Sequence, residues 1–109
     1  MNSTSISEVE LVAELNDAAR SNAVNYMATR GIMSLDEHHI SEIFSGVQNF
    51  TNFTADNDPF GEHDFGSFTV DGDKVFWKID YYDQDLQGWC EPLDPKCRRV
   101  LTIMLAEEY

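Results

Sequence analysis

Asp71-Gly72 constrains this chain more than any other pair, because it commits the backbone to a two-residue turn between two antiparallel strands. The return strand reads Asp73-Lys74-Val75-Phe76-Trp77-Lys78-Ile79-Asp80-Tyr81-Tyr82. Successive side chains of a strand point to opposite faces, so Val75, Trp77, Ile79 and Tyr81 share one face. Phe76, Lys78, Asp80 and Tyr82 share the other. Aromatic rings stand on both, which predicts a central strand covered on both sides. Ser67 to Val70 supplies the leading strand of the hairpin.

The remaining elements follow from caps and periods. Ser7-Glu8-Val9-Glu10 fits a capping box, in which the serine hydroxyl accepts a backbone N–H and Glu10 reaches back. Leu11, Leu15, Ala18 and Ala19 then fall at helical spacing, with Val12 beside them, and a first helix is expected to about Asn22. Val24 to Thr29 reads as a short strand ending in the turn Arg30-Gly31. Ser34-Leu35-Asp36-Glu37 is a second capping box. Ile40, Ile43, Phe44 and Val47 form the stripe of a second helix over about 35–49. Thr51 to Gly66 has no period and is read as a loop, long enough in a small domain to suggest a role. Pro92 and Pro95 break regular structure in a second loop, 83–97. Val100 to Ala106 closes as a strand, although its last residues would also suit a helix. The expected fold is α+β: a short antiparallel sheet of about four strands with two helices on one face, in the order α-β-α-β-β-β. The chain is read as a single domain, 1–109, with residues 1–6 frayed.

Charge limits the partners. Twenty acids oppose seven Lys and Arg, a formal net charge of −13. Such a surface repels nucleic acid and anionic membrane and favours a basic partner. The excess is concentrated: residues 56–85 hold nine acids and two bases. A solvated acidic face is the plain alternative. No apolar run approaches the ~20 residues that span a bilayer. Met1-Asn2-Ser3-Thr4-Ser5 lacks the features of a signal peptide, so a cytoplasmic protein is expected. There Cys90 and Cys97 are expected to be free, and the N-x-S/T triplets at Asn2, Asn49 and Asn52 to carry no glycan.

The densest cluster of reactive residue types is Asp56-Asn57-Asp58-Pro59-Phe60-Gly61-Glu62-His63-Asp64-Phe65-Gly66. As a calcium loop it opens correctly with Asp56 and Asp58 and has Gly61 at the sixth place. It fails at Phe60, a ligand position, and at Ser67, where the twelfth-position glutamate belongs. As a metal or acid–base site, Glu62, His63 and Asp64 are suitable types, and His38 with Glu42 is spaced to share one helix face. As architecture, Asp and Asn side chains bond nearby N–H groups, Pro59 fixes a turn, Gly61 and Gly66 permit positive φ, and Phe60 and Phe65 anchor the loop. There is no P-loop, G-x-S-x-G, H-E-x-x-H or dinucleotide-binding glycine pattern, so neither an enzyme nor a cofactor is expected. Arg98-Arg99, the one basic pair, is expected to meet Glu91 or Asp94.

The loop motif just quoted, Phe76-Trp77-Lys78-Ile79-Asp80-Tyr81-Tyr82-Asp83, and Arg98-Arg99-Val100-Leu101-Thr102-Ile103-Met104-Leu105-Ala106 with Glu108-Tyr109 together resemble a small domain-of-unknown-function family. The resemblance covers roughly residues 14–109. It implies short proteobacterial proteins, often borne on plasmids or in prophage-like regions, and no assigned catalytic or binding residues. Very acidic proteins in that setting often occupy the nucleic-acid groove of a host defence complex. Alternate residues of a strand lie about 6.6 Å apart, a few ångströms being also the spacing of backbone phosphates. Rows of carboxylates such as Asp71 with Asp73 and Asp83 with Asp85 can therefore imitate phosphates. The expected function is an interaction protein that blocks a basic nucleic-acid-binding protein or a CRISPR or restriction complex. Its expected contacts are Asp56, Asp58, Glu62, Asp64, Asp71, Asp73, Asp83 and Asp85, with Tyr82 and Trp89 as aromatic anchors. The alternatives are a small metal-dependent enzyme using Glu62-His63-Asp64 and a plasmid-maintenance adaptor without catalysis.

Overall fold

A computed structural model describes residues 7–109, and the expected fraying of residues 1–6 lies outside them. The elements in chain order are α1 (Glu8–Arg20), β1 (Tyr26–Ala28), α2 (Arg30–Met33), α3 (Glu37–Gln48), β2 (Phe65–Val70), β3 (Asp73–Tyr82) and β4 (Arg98–Leu105). Short 3-10 turns, Ala23–Asn25 and Ala106–Glu108, flank β1 and end the chain. The strands form one sheet in the order β1-β4-β3-β2, with the two longer helices on one face: an α+β fold.

The hairpin forms as its sequence requires. Asp71 and Gly72 adopt φ of 48° and 86°, a turn with left-handed backbone at both central residues. Its register pairs Val70 with Asp73 and Phe65 with Lys78. Val75, Trp77 and Ile79 are buried against Ile43 and Val47 of α3, Ile32 of α2, and Leu101 and Ile103 of β4. β3 is central, as expected, but the helices cover only one of its faces. On the outer face Phe76 is sheltered by the rings of Phe65 and Tyr109, 5.5 and 5.0 Å away, while Lys78 and Asp80 form an ion pair at 2.9 Å. Gly66 sits beneath Trp77, where a Cβ would lie 2.5 Å from the indole nitrogen. Gly66 is therefore needed for close approach, not for the positive φ expected of it.

Three local expectations change. The pair β1–β4 is parallel, Tyr26 opposite Leu101 and Ala28 opposite Ile103. The long helical crossover returns the chain to the same end of the sheet, so β2 starts in the direction of β1. The antiparallel steps to β3 and β4 then restore that direction. Arg30-Gly31 is not a turn but the start of α2, which drives Ile32 into the core. The cap of α3 is Asp36, whose carboxylate accepts the His39 N–H at 2.8 Å, whereas Ser34 ends α2. The Ser7 capping box of α1 is complete, both bonds being 3.1 Å.

Candidate functional site

Helix α1 buries an unexpected face. Its packed residues are Val12, Ala13, Asn16 and Arg20, while Leu11 and Leu15 stay largely exposed. A buried amide is tolerated only when its bonds are made, and those of Asn16 are. Nδ2 donates to Tyr81 Oη at 2.8 Å and to the Glu62 carbonyl at 2.9 Å. Oδ1 accepts from Arg99 Nε at 2.6 Å. Arg99 also donates to the Pro92 carbonyl and lies 5.3 Å over the Tyr81 ring. It does not pair with Glu91 or Asp94, and Arg98 reaches the Gln84 carbonyl instead. Arg20 lies over the rings of Phe53 and Trp77 at 5.2 and 5.4 Å and donates to Asp17 at 2.9 Å.

The loop motif docks against this face. His63 holds a left-handed backbone, φ 58°, and stacks on Phe53 with ring centroids 3.9 Å apart. Its Nδ1 lies 2.9 Å from Asp17 Oδ1, the oxygen that also takes Arg20. Asp58, expected to face a partner, is buried and accepts the His63 backbone N–H. Asn57 bonds Thr54 and Asn52, and Gly61, φ 71°, bonds the Asp58 carbonyl. Much of the motif is therefore architectural. Phe60, expected as an anchor, is 78% exposed.

Glu62 and Asp64 flank His63 on its half-buried side. Burial, then the Asp64 and Asp58 carboxylates, holds the Glu62 carboxyl above its ordinary value. Burial, with Asp58 and Asp80, does the same to Asp64, opposed by its own N–H and by the Tyr81 hydroxyl 3.5 Å away. Burial likewise raises the Tyr81 phenol. Glu62 and Asp64 thus lie close to one another and to Asp58, whose carboxylate is also 3.7 Å from His63 Nε2. Among the described residues no group of three His, Cys, Asp or Glu is arranged to hold a metal ion. His38 and Glu42 meet at 2.6 Å as an exposed helical pair.

The other expected contacts lie toward solvent. Asp56, Asp71 and Asp85 are exposed, and Asp73 is half-exposed with its carboxylate 3.7 Å from His39. Asp83 is half-buried and orders its loop, accepting N–H bonds from Asp85 and Gln87. Trp89 is 69% exposed and bridges the backbone of Tyr82. The residues that sequence reasoning missed are Asn16, Arg20 and Arg99. One signal existed: Asn16 and Arg20 follow Val12 at four-residue spacing, which places them on its side of α1.

Fold and site together define a small α+β domain whose polar network joins one helix to a loop and the central strand, with most of its carboxylates left at the surface. Residues 28–108 match the model of DUF3768, described as proteins of unknown function, and the chain belongs to that family. No curated protein and no solved structure matches the chain. The matched segment starts at the end of β1, so α1 with Asn16 and Arg20 lies before it. No helix among the described residues is long and apolar enough to cross a membrane.

Proposed function

We propose that this protein is an acidic interaction module that binds a basic, nucleic-acid-handling protein and blocks its substrate site, by setting carboxylates where that protein binds phosphates. A CRISPR or restriction complex met in a bacterial cytoplasm is the kind of target intended. A plasmid or prophage setting, the one implied by the sequence resemblance, fits this reading.

The observation that supports it is the lack of internal neutralisation. Among the described residues, only Asp17 and Asp80 of the 20 acids form ion pairs with Lys or Arg. The exposed Asp56, Asp71 and Asp85 and the half-exposed Glu62, Asp64, Asp73 and Asp83 leave their charge to an incoming partner. Exposed carboxylates separated by a few ångströms repel one another in the free protein. A surface of Lys and Arg relieves that repulsion, as counterions do. Tyr82 and Trp89 add rigid aromatic area at the end of β3 that leads into Asp83 and Asp85.

The test is salt dependence. Affinity for a captured basic nucleic-acid-binding complex should fall by about tenfold or more between 50 and 200 mM salt, the behaviour of contacts that replace phosphates. An excess of the target's own nucleic acid should displace the protein. Affinity unchanged by salt and by that competitor would reject the mimicry.

A further inference from the structure

The edge of β3 that faces β2 is interrupted. β2 pairs with it up to Lys78, and one step on the Ile79 N–H donates to the Asp64 carbonyl at 2.8 Å. Pairing resumes where Trp89 bridges Tyr82 and the Cys90 N–H reaches the Tyr81 carbonyl. Between these contacts the edge opens into a cavity of about 330 Å³, lined by Asp64, Ile79, Asp80, Tyr82, Gly88 and Trp89.

The wall is held in place. Asp83 donates its N–H to the Gly88 carbonyl at 2.9 Å, and its carboxylate takes the N–H groups of Asp85 and Gln87. This fixes the loop that carries Trp89, so the exposed indole is presented by ordered backbone. The lining also carries two carboxylates, Asp64 and Asp80. Asp64 has no Lys or Arg ion-pair partner among the described residues, and Asp80 has only Lys78. A cation entering the gap would meet carboxylates and aromatic faces together.

We infer that this gap binds the side-chain guanidinium of an arginine on the partner. The inference rests on the acidic-interaction reading and names the chemistry its contact requires. A guanidinium is planar, stacks on indole and phenol faces, and offers parallel N–H donors to a carboxylate. An ammonium group has no plane to stack, so arginine is preferred to lysine.

The experiment titrates the full chain with N-acetyl-arginine amide, following backbone and indole N–H resonances. The expected result is saturable shifts confined to the Gly88, Trp89 and Tyr82 region. The lysine amide should bind several-fold more weakly, and the neutral citrulline amide should have no effect. Trp89→Ala, a change at an exposed side chain, should weaken arginine binding about fivefold or more. Equal shifts from citrulline, shifts spread over all acidic residues, or full affinity in Trp89→Ala would overturn the pocket. Nona-lysine serves as the separate probe of the acidic surface. If it binds in a salt-dependent way while the arginine amide leaves the Gly88–Trp89 region unmoved, the pocket is wrong and the acidic-surface reading stands. If nona-lysine fails to bind while the arginine shifts are seen, the pocket stands and the broader reading falls.

Discussion

Asn16 has its whole amide in use, with partners 46, 65 and 83 residues further along the chain. That distance is why sequence reading passed over it. An asparagine in a helix is ordinarily read as solvent-facing, and only the fold brings the Glu62 carbonyl, Tyr81 and Arg99 to it. The same reason hid Arg20, whose charge is covered by Phe53 and Trp77 while its Nε has no hydrogen-bond partner among the described residues. His63 and the acids around it were legible as residue types, but not as a division of labour. Asp64 gives the residue-scale prediction. Its carboxyl is held above the ordinary value, so ionising it is harder in the fold than in the unfolded chain. The unfolded state then releases its proton first, and the stability cost grows as pH rises from the unfolded value through the higher folded one. Below both values the cost is absent. Asp64→Asn should therefore raise the melting temperature at pH 7 and give no gain at pH 3. Thermal melts across that range check the sign; a gain that is equal at both pH values would assign the effect to something other than ionisation.

Elements were more legible than sites, because their signals are local. Asp71-Gly72 sets the hairpin, and β3 runs over the ten residues read from its alternation. The Ser7 box starts α1 as expected. The errors also have local causes. Ser34 and Asp36 are both good caps, and the carboxylate won because Ser34 was already closing α2. Val24 to Thr29 shortened to three strand residues because the Ala23–Asn25 turn and α2 claim its ends. The parallel sense of β1 carries no local signal, since it is set by the long crossover between Ala28 and Phe65. At this scale Gly66→Ala is the informative change. Its methyl group would meet the Trp77 indole and Phe50 at 2.5 and 2.8 Å, with a strand backbone behind it. Overpacking of this kind costs about 2 kcal/mol, or roughly 10 °C in a domain of this size. Chemical denaturation should show the loss with an unchanged m-value.

The whole molecule separates its charges. The outer sheet face holds Lys74, Lys78 and Arg98 against Asp80 alone, so the acidic excess lies on the helices, loops and hairpin end. Helix α1 belongs to this surface and to the core at once. It precedes the family-matched segment, yet Asn16 and Arg20 complete the polar bonds of Tyr81 and Arg99 and the cover of Trp77. A chain beginning at Ala23 should accordingly melt at least about 10 °C lower, since several core and hydrogen-bonding contacts are lost together. Its Trp77 emission should shift to longer wavelength. An unchanged melt would show that α1 is dispensable to the fold.

The parallel pairing of β1 with β4 also sets a schedule for synthesis. Residues 26–28 find their partners at 101–103, which are made much later. Because domains form as the chain emerges from the ribosome, β1 must wait, without its strand partner, while some 70 residues are added. During that interval its open edge is a pairing site for another nascent chain. Slower synthesis between β1 and β4, or a pause before residue 98, would lengthen the wait, and soluble yield should respond to codon choice there.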